Sequence, residues 1–481
     1  MGEILIRDAY HLVTCNDAGD RASGVDLLIA DGRIAAIGRD LERRHPPSPG
    51  TPREVLGADT CVVLPGLVNT HHHLFQTLTR NVAAAQDQKL FDWLVTHYRV
   101  WGTLDAEAVY WSTLVGAAEL LLTGCTTTSD HHYLFPVAAP PDLLDAQLEA
   151  LAKLGIRAHV TRGSMSRGVS QGGLPPDSVV QDEDTILADC ERVLDRWHDA
   201  RPFSMRRIAL APCSPFSVTE RLLCETVQLA RRRGVHCHTH LAETDDEERY
   251  CIERYGRRPL ELMEDLEWLG EDIWFAHGIW FDDSDLALLA RTRTGVAHCP
   301  SSNMRLGSGI PRIPEMLQRG IRVGLGVDGS ASNDASNMLA EVRQALLLAR
   351  ARWGPGTLRA ADALGLATRG SATLLGRDSE IGSLEVGKAA DVVLVDVRGV
   401  DRAGALSDPL AALVFTGIGQ RVRHAIVGGE VVVREGRLVR IDEEEIARRA
   451  HALSFRMLER AGLGTPWGLP PWVASGDGRR A

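Results

Sequence analysis

From residue 62 to about residue 375 the chain repeats one pattern. A short apolar run is followed by a longer stretch whose apolar positions recur three and four apart. The runs fall at 62–68, 126–129, 157–160, 207–211, 235–240, 273–276, 295–298 and 323–327. Continuous runs of this length read as strands buried on both faces. The stretches between them, 106–122 and 222–233 among them, read as helices. Such alternation makes parallel βα units, because parallel neighbours need a long crossover. Eight units over about 300 residues predict a (β/α)8 TIM-like barrel, with an open doubly wound sheet as the alternative. Polar residues gather just after nearly every run, as they would around one mouth, and that favours the barrel.

The pattern at both ends is different. Short apolar segments at 4–6, 25–30 and 33–37 flank Asp31-Gly32, a hairpin-turn pair, and 45–53 is a proline-rich loop. After Gly382 short strands return at 390–396, 424–427 and 430–433, with Gly428-Gly429 as a second hairpin turn. These segments can pair as one β-sandwich with the barrel inserted between them. The expected division is 1–64 and 377–440 for the two parts of the sandwich and 65–376 for the barrel. Residues 441–481 are then a helix over 442–461 and a proline- and tryptophan-rich tail beginning Thr465-Pro466-Trp467.

Composition excludes more than it assigns. The 481 residues, 44% hydrophobic and 24% charged, suit a large protein whose core needs no disulfide or structural metal. A net charge of -11 argues against a nucleic-acid or anionic-membrane partner. No apolar run approaches the ~20 residues that span a bilayer. Met1-Gly-Glu-Ile-Leu-Ile lacks the regions of a signal peptide, and Ile6 breaks the myristoylation pattern. The nine cysteines, an odd number without a C-x-x-C pair, read as reduced thiols in a cytoplasmic protein.

The chemistry sits at the ends of the apolar runs. Pro65-Gly-Leu-Val-Asn-Thr-His71-His72-His73 closes the first, and alternation puts His71 and His73 on one side with His72 opposite. His236-Cys-His238-Thr-His240-Leu-Ala-Glu243 closes the fifth. His240 lies at the C-terminal end, where barrel sites form, with Glu243 just beyond it; His236 and His238 read as interior packing residues. His277 ends the sixth run, and Asp328 follows the eighth, before a Gly-Ser turn. His71, His73, His240 and Asp328 offer three nitrogens and one oxygen, a set that suits Zn²⁺ with a position left for water, though Fe²⁺ or Mn²⁺ accept the same donors. Glu243 and His277 then remain for proton transfer and charge stabilisation. By their places after the strands, Gln76, Trp93, Arg162 and Cys213 are candidates for holding a substrate.

These motifs, with Gly382-Ser-Leu-Glu-Val-Gly-Lys388-Ala-Ala-Asp391, resemble the amidohydrolase superfamily over residues 1 to about 440. The two-metal branch uses a carboxylated lysine on the fourth strand. Lysine occurs here only at Lys89, Lys153 and Lys388, so the resemblance is to the one-metal branch of deaminases and triazine hydrolases. That resemblance implies hydrolytic deamination of an amino-substituted nitrogen heterocycle by a soluble, homodimeric enzyme using one divalent metal and water. In His73-Leu-Phe-Gln-Thr-Leu-Thr-Arg80, Ala211-Pro-Cys-Ser-Pro-Phe-Ser217 and Ala297-His-Cys-Pro-Ser-Ser-Asn303 the chain resembles the members of that branch that act on 8-oxoguanine, and this resemblance, with Asp328 as proton acceptor, implies urate and ammonia as products, the first expectation. The alternatives are an N-ethylamino-triazine, guanine or a pterin; a silent metal-binding scaffold is the remote one.

Overall fold

The computed structural model describes residues 2–47, 50–417, 419, 421–464, 467–468 and 470–474. Eight strands, Leu67–Asn69, Cys125–His132, Arg157–Ser164, Arg206–Pro212, Cys237–Leu241, Ile273–His277, Gly295–His298 and Val323–Leu325, lie side by side in sequence order. Each is parallel to the next. Loop hydrogen bonds join the last strand to the first. The N–H and hydroxyl of Thr70 both donate to the Leu325 carbonyl, at 2.9 and 2.8 Å. The Asp328 N–H donates to the His71 carbonyl at 3.0 Å. Gly326 permits this approach, since a Cβ there would lie 2.6 Å from that of His71. The barrel is therefore drawn shut at the two residues proposed as first-run and last-run metal donors.

The run at 62–68 is two strands rather than one. Cys61–Pro65 runs antiparallel to Val392–Asp396, with Val63 opposite Leu394, and only Leu67–Asn69 enters the barrel. Gly66, between them, donates to the Asp391 carbonyl, and a Cβ there would land on Thr126. The second and third strands run further than their apolar segments, through Ser129-Asp130-His131-His132 and Thr161-Arg162-Gly163-Ser164. The eighth stops at Leu325, short of 327.

Cys61–Pro65 is central in a seven-stranded sheet that also holds His11–Val13, Val392–Asp396 and His424–Val427. A four-stranded sheet, in the order Arg33–Gly38, Val25–Ala30, Glu3–Ala9, Arg53–Gly57, packs against it. Ile6, Leu27 and Ile29 from one sheet meet Val63, Val392 and Ile426 from the other in a closed apolar layer. Both hairpin turns have the expected left-handed pair, Asp31-Gly32 at φ 49° and 74° and Gly428-Gly429 at 56° and 81°. N- and C-terminal segments thus build one sandwich beside the barrel, clamped to it by Arg157. Its Nε and a terminal nitrogen each donate to Asp391 at 2.8 Å.

The helix Glu443–Arg460 lies against Ala106–Leu122. Of the tail, Thr465, Pro466, Leu469 and 475–481 lie outside the described residues, and Pro471–Ala474 forms one helical turn. Among the described residues no helix is long and apolar enough to cross a membrane.

Candidate active site

At the C-terminal end of the barrel, buried histidines from three strands converge with Asp328. Donor atoms of His71, His240, His277 and Asp328 all lie within 4.8 Å of one another. His73 Nε2 is 3.1 Å from His240 Nε2 and 3.2 Å from Asp328 Oδ1, and His71 Nε2 is 3.3 Å from the same oxygen. The segment after Asn69 is not strand, yet its side chains alternate: His72 points away and its Nε2 lies 2.9 Å from the Ser336 hydroxyl.

The other ring nitrogen of each histidine fixes its tautomer. His73 Nδ1 donates to the His131 carbonyl at 2.8 Å, and His240 Nδ1 to the Cys213 carbonyl at 2.7 Å. A carbonyl only accepts, so both rings carry their proton on Nδ1 and turn a bare Nε2 inward. His71 reaches the same state through a relay. Its Nδ1 lies 2.7 Å from His238 Nε2, and His238 Nδ1 donates to the Trp274 carbonyl at 2.8 Å. His238 Nε2 is therefore an acceptor and His71 Nδ1 its donor.

These rings fit a divalent cation. His71 Nε2 is buried with no hydrogen-bond partner. His73 and His240 point two lone pairs at each other across 3.1 Å, with no proton left to place between them. Two imidazoles on one tetrahedral zinc stand about 3.3 Å apart. Burial drives His71 well below the ordinary imidazole value, and burial with the neighbouring His73 takes His240 down to about 3. Neutral imidazole is the ligating form.

Two carboxylates flank this centre in opposite states. Burial opposes ionisation of Asp328; positive charge at the His71 and His73 rings, which in these neutral tautomers only a bound cation would supply, outweighs burial and holds it well below the usual carboxylate range. Its Oδ1 also accepts the Gly329 N–H at 2.7 Å. Glu243 goes the other way: burial first, then the charge on Asp328, pushes its carboxyl well above that range. His277 Nε2 lies between them, 3.5 Å from Glu243 Oε2 and 3.9 Å from Asp328 Oδ2. Its Nδ1 donates to Asn303 Oδ1 at 2.9 Å.

The backbone is strained where these side chains are aimed. Ala242, His277 and Asp328, just at the ends of the fifth, sixth and eighth strands, have φ of 53°, 76° and 63°. Such conformations cost a non-glycine residue about 1–3 kcal/mol each and persist where packing enforces them. Beside Ala242, Glu247 supplies part of that enforcement by accepting the N–H groups of Ala242 and Glu243 at 3.0 and 3.1 Å.

The cavity over this centre is lined by Gln76, Trp93 and Cys213, together with Tyr98, Phe216 and Leu306. Gln76 Oε1 is buried without a partner. Burial pushes the Cys213 thiol up to about 12, so it stands there as a neutral thiol. Arg162 is placed elsewhere. Thr161 and Gly163 alternate with it along the third strand, which turns Arg162 outward to the Glu183–Trp197 helix. There it donates to Asp189 at 2.8 Å and Gln181 at 2.9 Å and covers the Phe135 ring. Sequence reasoning passed over Asn303 and read His238 as packing. The signal for His238 was its even spacing from His240 on one strand, which placed both on the inner face. A larger cavity of about 1030 Å³ opens at the other end of the barrel, beside Arg322 and Arg369, and holds none of these groups.

The sequence pattern described as the Amidohydrolase family matches residues 62–432. The chain is 45% identical to 8-oxoguanine deaminase of Pseudomonas aeruginosa, over 95% of this chain and all of that one. It is 40% identical to hydroxydechloroatrazine ethylaminohydrolase of Pseudomonas sp. strain ADP, over 93% of this chain and 94% of that one. The crystal structure of atrazine chlorohydrolase TrzN from Arthrobacter aurescens TC1, complexed with zinc, superposes with a TM-score of 0.88. It is 34% identical and covers 94% of this chain and all of that one.

Proposed function

The chain belongs to the amidohydrolase family and is a hydrolase of C–N bonds, and from that premise we propose that it deaminates 8-oxoguanine to urate and ammonia. The placement of Glu243 and Asp328 on the two sides of His277, 3.5 and 3.9 Å from its Nε2 and beside the histidine cluster, carries this reading. Hydrolytic deamination needs a base for water and an acid for the ring in the same site.

His71, His73, His240 and Asp328, joined by inward atom pairs 3.1–3.3 Å apart, would hold one divalent ion, zinc in this reading, as in the TrzN structure. When bound, the ion supplies the Lewis acidity that makes water nucleophilic near neutral pH. Ionised Asp328 accepts the proton of the water that attacks the ring carbon bearing the amino group. Protonated Glu243 donates to the adjacent ring nitrogen and makes that carbon electrophilic. His277, oriented by Asn303, presents a bare Nε2 that accepts a hydrogen bond from the water and aims its oxygen at the ring carbon. The proton taken by Asp328 passes to the amino group, which leaves as ammonia, and the second proton of the water returns through His277 Nε2 to Glu243, 3.5 Å away, as the carbonyl forms. Gln76 offers its unpartnered amide oxygen to a ring N–H, Trp93 supplies a flat wall, and Cys213 lies against the base.

The apolar lining of Leu90, Leu94, Phe216 and Leu306 favours a second reading, an N-alkylamino-triazine, in line with the ethylaminohydrolase relative. By the same family analogy the enzyme is a cytoplasmic homodimer, divided at 64/65, 376/377 and 440/441.

Release of ammonia or amine from 8-oxoguanine, guanine, isoxanthopterin, cytosine, S-adenosylhomocysteine and hydroxyatrazine tests the reading. A kcat/KM for 8-oxoguanine in the range of about 10⁴–10⁸ M⁻¹s⁻¹, above all others, is the expected result. Turnover of hydroxyatrazine alone replaces the substrate and keeps the mechanism. Silence on 8-oxoguanine with zinc loaded overturns the assignment.

A further inference from the structure

Glu341 is a buried carboxylate on the Met338–Trp353 helix that none of the steps above uses. Its Oε2 accepts the Ser301 N–H at 3.1 Å. Its Oε1 accepts the Ser301 hydroxyl at 2.5 Å and Asn333 Nδ2 at 2.9 Å. These donors belong to two different segments of the mouth.

Ser301 lies in the first turn of the Pro300–Arg305 helix, where backbone N–H groups lack helical partners, and Glu341 supplies one from outside. The next two residues face the site. Asn303 accepts from His277, and the Ser302 hydroxyl donates to the Ser332 hydroxyl at 2.9 Å. Ser332 in turn lies 3.4 Å from Asp328 Oδ2. Asn333 ends the short Ser330–Asn333 helix, and its Nδ2 also donates to the carbonyl of Val327, immediately before Asp328. One carboxylate therefore holds the support of His277 with one hand and the support of Asp328 with the other.

We propose that Glu341 is a positioning residue that locks the Pro300–Arg305 helix to the Asp328 loop and so sets the spacing of His277 from Asp328. The proposal rests on the roles given above to those two residues. Only a carboxylate suits the place, because all three groups facing it are donors. A glutamine must turn its NH₂ either toward the Ser301 N–H or toward Asn333 Nδ2, so one donor always faces another.

Zinc-loaded Glu341→Gln should lose kcat about 10–100-fold, the range for groups that orient metal ligands. KM should stay within about two-fold, since the lost interaction acts in the transition state. Asn333→Ala should do the same, and the double variant should be no worse than the worse single, because both break one connection. Competition with a chelator needs no substrate. Removal of zinc from Glu341→Gln should become easier by about 10-fold, because Asp328 is a proposed donor. A merely structural role would instead lower the Tm of the metal-free protein and spare the kcat of the loaded enzyme. The proposal is overturned by a parental kcat and chelator midpoint in Glu341→Gln, or by single effects that add. If 8-oxoguanine is not the substrate, the chelator competition still decides between these outcomes.

Discussion

At the floor of the barrel Arg157 is buried against Asp391, and every hydrogen-bonding nitrogen of its guanidinium is spent. Two bonds go to the carboxylate and two more to the carbonyls of Phe203 and Ser204. The free oxygen capacity of Asp391 takes the Gly428 N–H at 2.7 Å. At the mouth the same degree of burial is handled in reverse. The histidine N–H groups all point away from the centre, to His131, Cys213, Asn303 and His238, and leave their lone pairs facing inward. Three non-glycine residues there carry positive φ. Buried polarity by itself is thus uninformative. What separates a clamp from a reactive centre is whether the donors and acceptors close on each other or are held open toward a common point.

Stripping the ion separates the two ends most widely. A chelator should abolish turnover and zinc should restore it, while the floor keeps the chain folded, as read by circular dichroism. Unfolding on chelation would break the comparison by making the mouth structural. Next in size, Glu243→Gln should lower kcat by about 10²–10⁴, the range for a lost general acid, with zinc content unchanged by atomic absorption. Retained full activity would remove Glu243 from the mechanism. Arg157→Ala tests the other end. It should cost about 3–5 kcal/mol of stability by leaving Asp391 buried and unpaired, seen as a lower denaturation midpoint, with kcat preserved in the folded fraction. The smallest effect should come from His238→Ala, which removes the acceptor that orients His71 and should weaken zinc binding about 10–100-fold. His238→Gln keeps an acceptor and should lose less. Equal zinc affinity in both variants and the parent would return His238 to the packing residue that its sequence context suggests.

The legible part of the fold came from apolar runs, and the errors came where apolarity and pairing disagree. The second strand continues through Asp130-His131-His132 because its backbone pairs with the third strand as far as His132, whatever its side chains. Its polar residues are accommodated by long-range partners: Asp130 accepts the Leu74 N–H at 2.6 Å and Gln147 Nε2 at 2.7 Å. Conversely, 62–68 is one apolar run divided between two sheets, because both its halves are buried. Hydrophobicity records burial and does not record the neighbour that provides it. Arg162 was misplaced for a related reason. Its position near the end of a strand was readable, but the side it faces depends on the parity of the third strand within the closed barrel.

By itself, the sequence determined the strand–helix alternation and the two hairpin turns, and it singled out His71, His73, His240 and Asp328, the residues proposed as donors. Each of these is encoded over a few neighbouring residues, as a period, a turn pair or a polar residue ending an apolar run. Only the tertiary structure decided that His238 orients His71 from 167 positions away, that Arg162 faces a helix, and that Glu341 ties Ser301 to Asn333. Those depend on which strands become neighbours and which faces close, and contacts between distant segments leave no period in the chain.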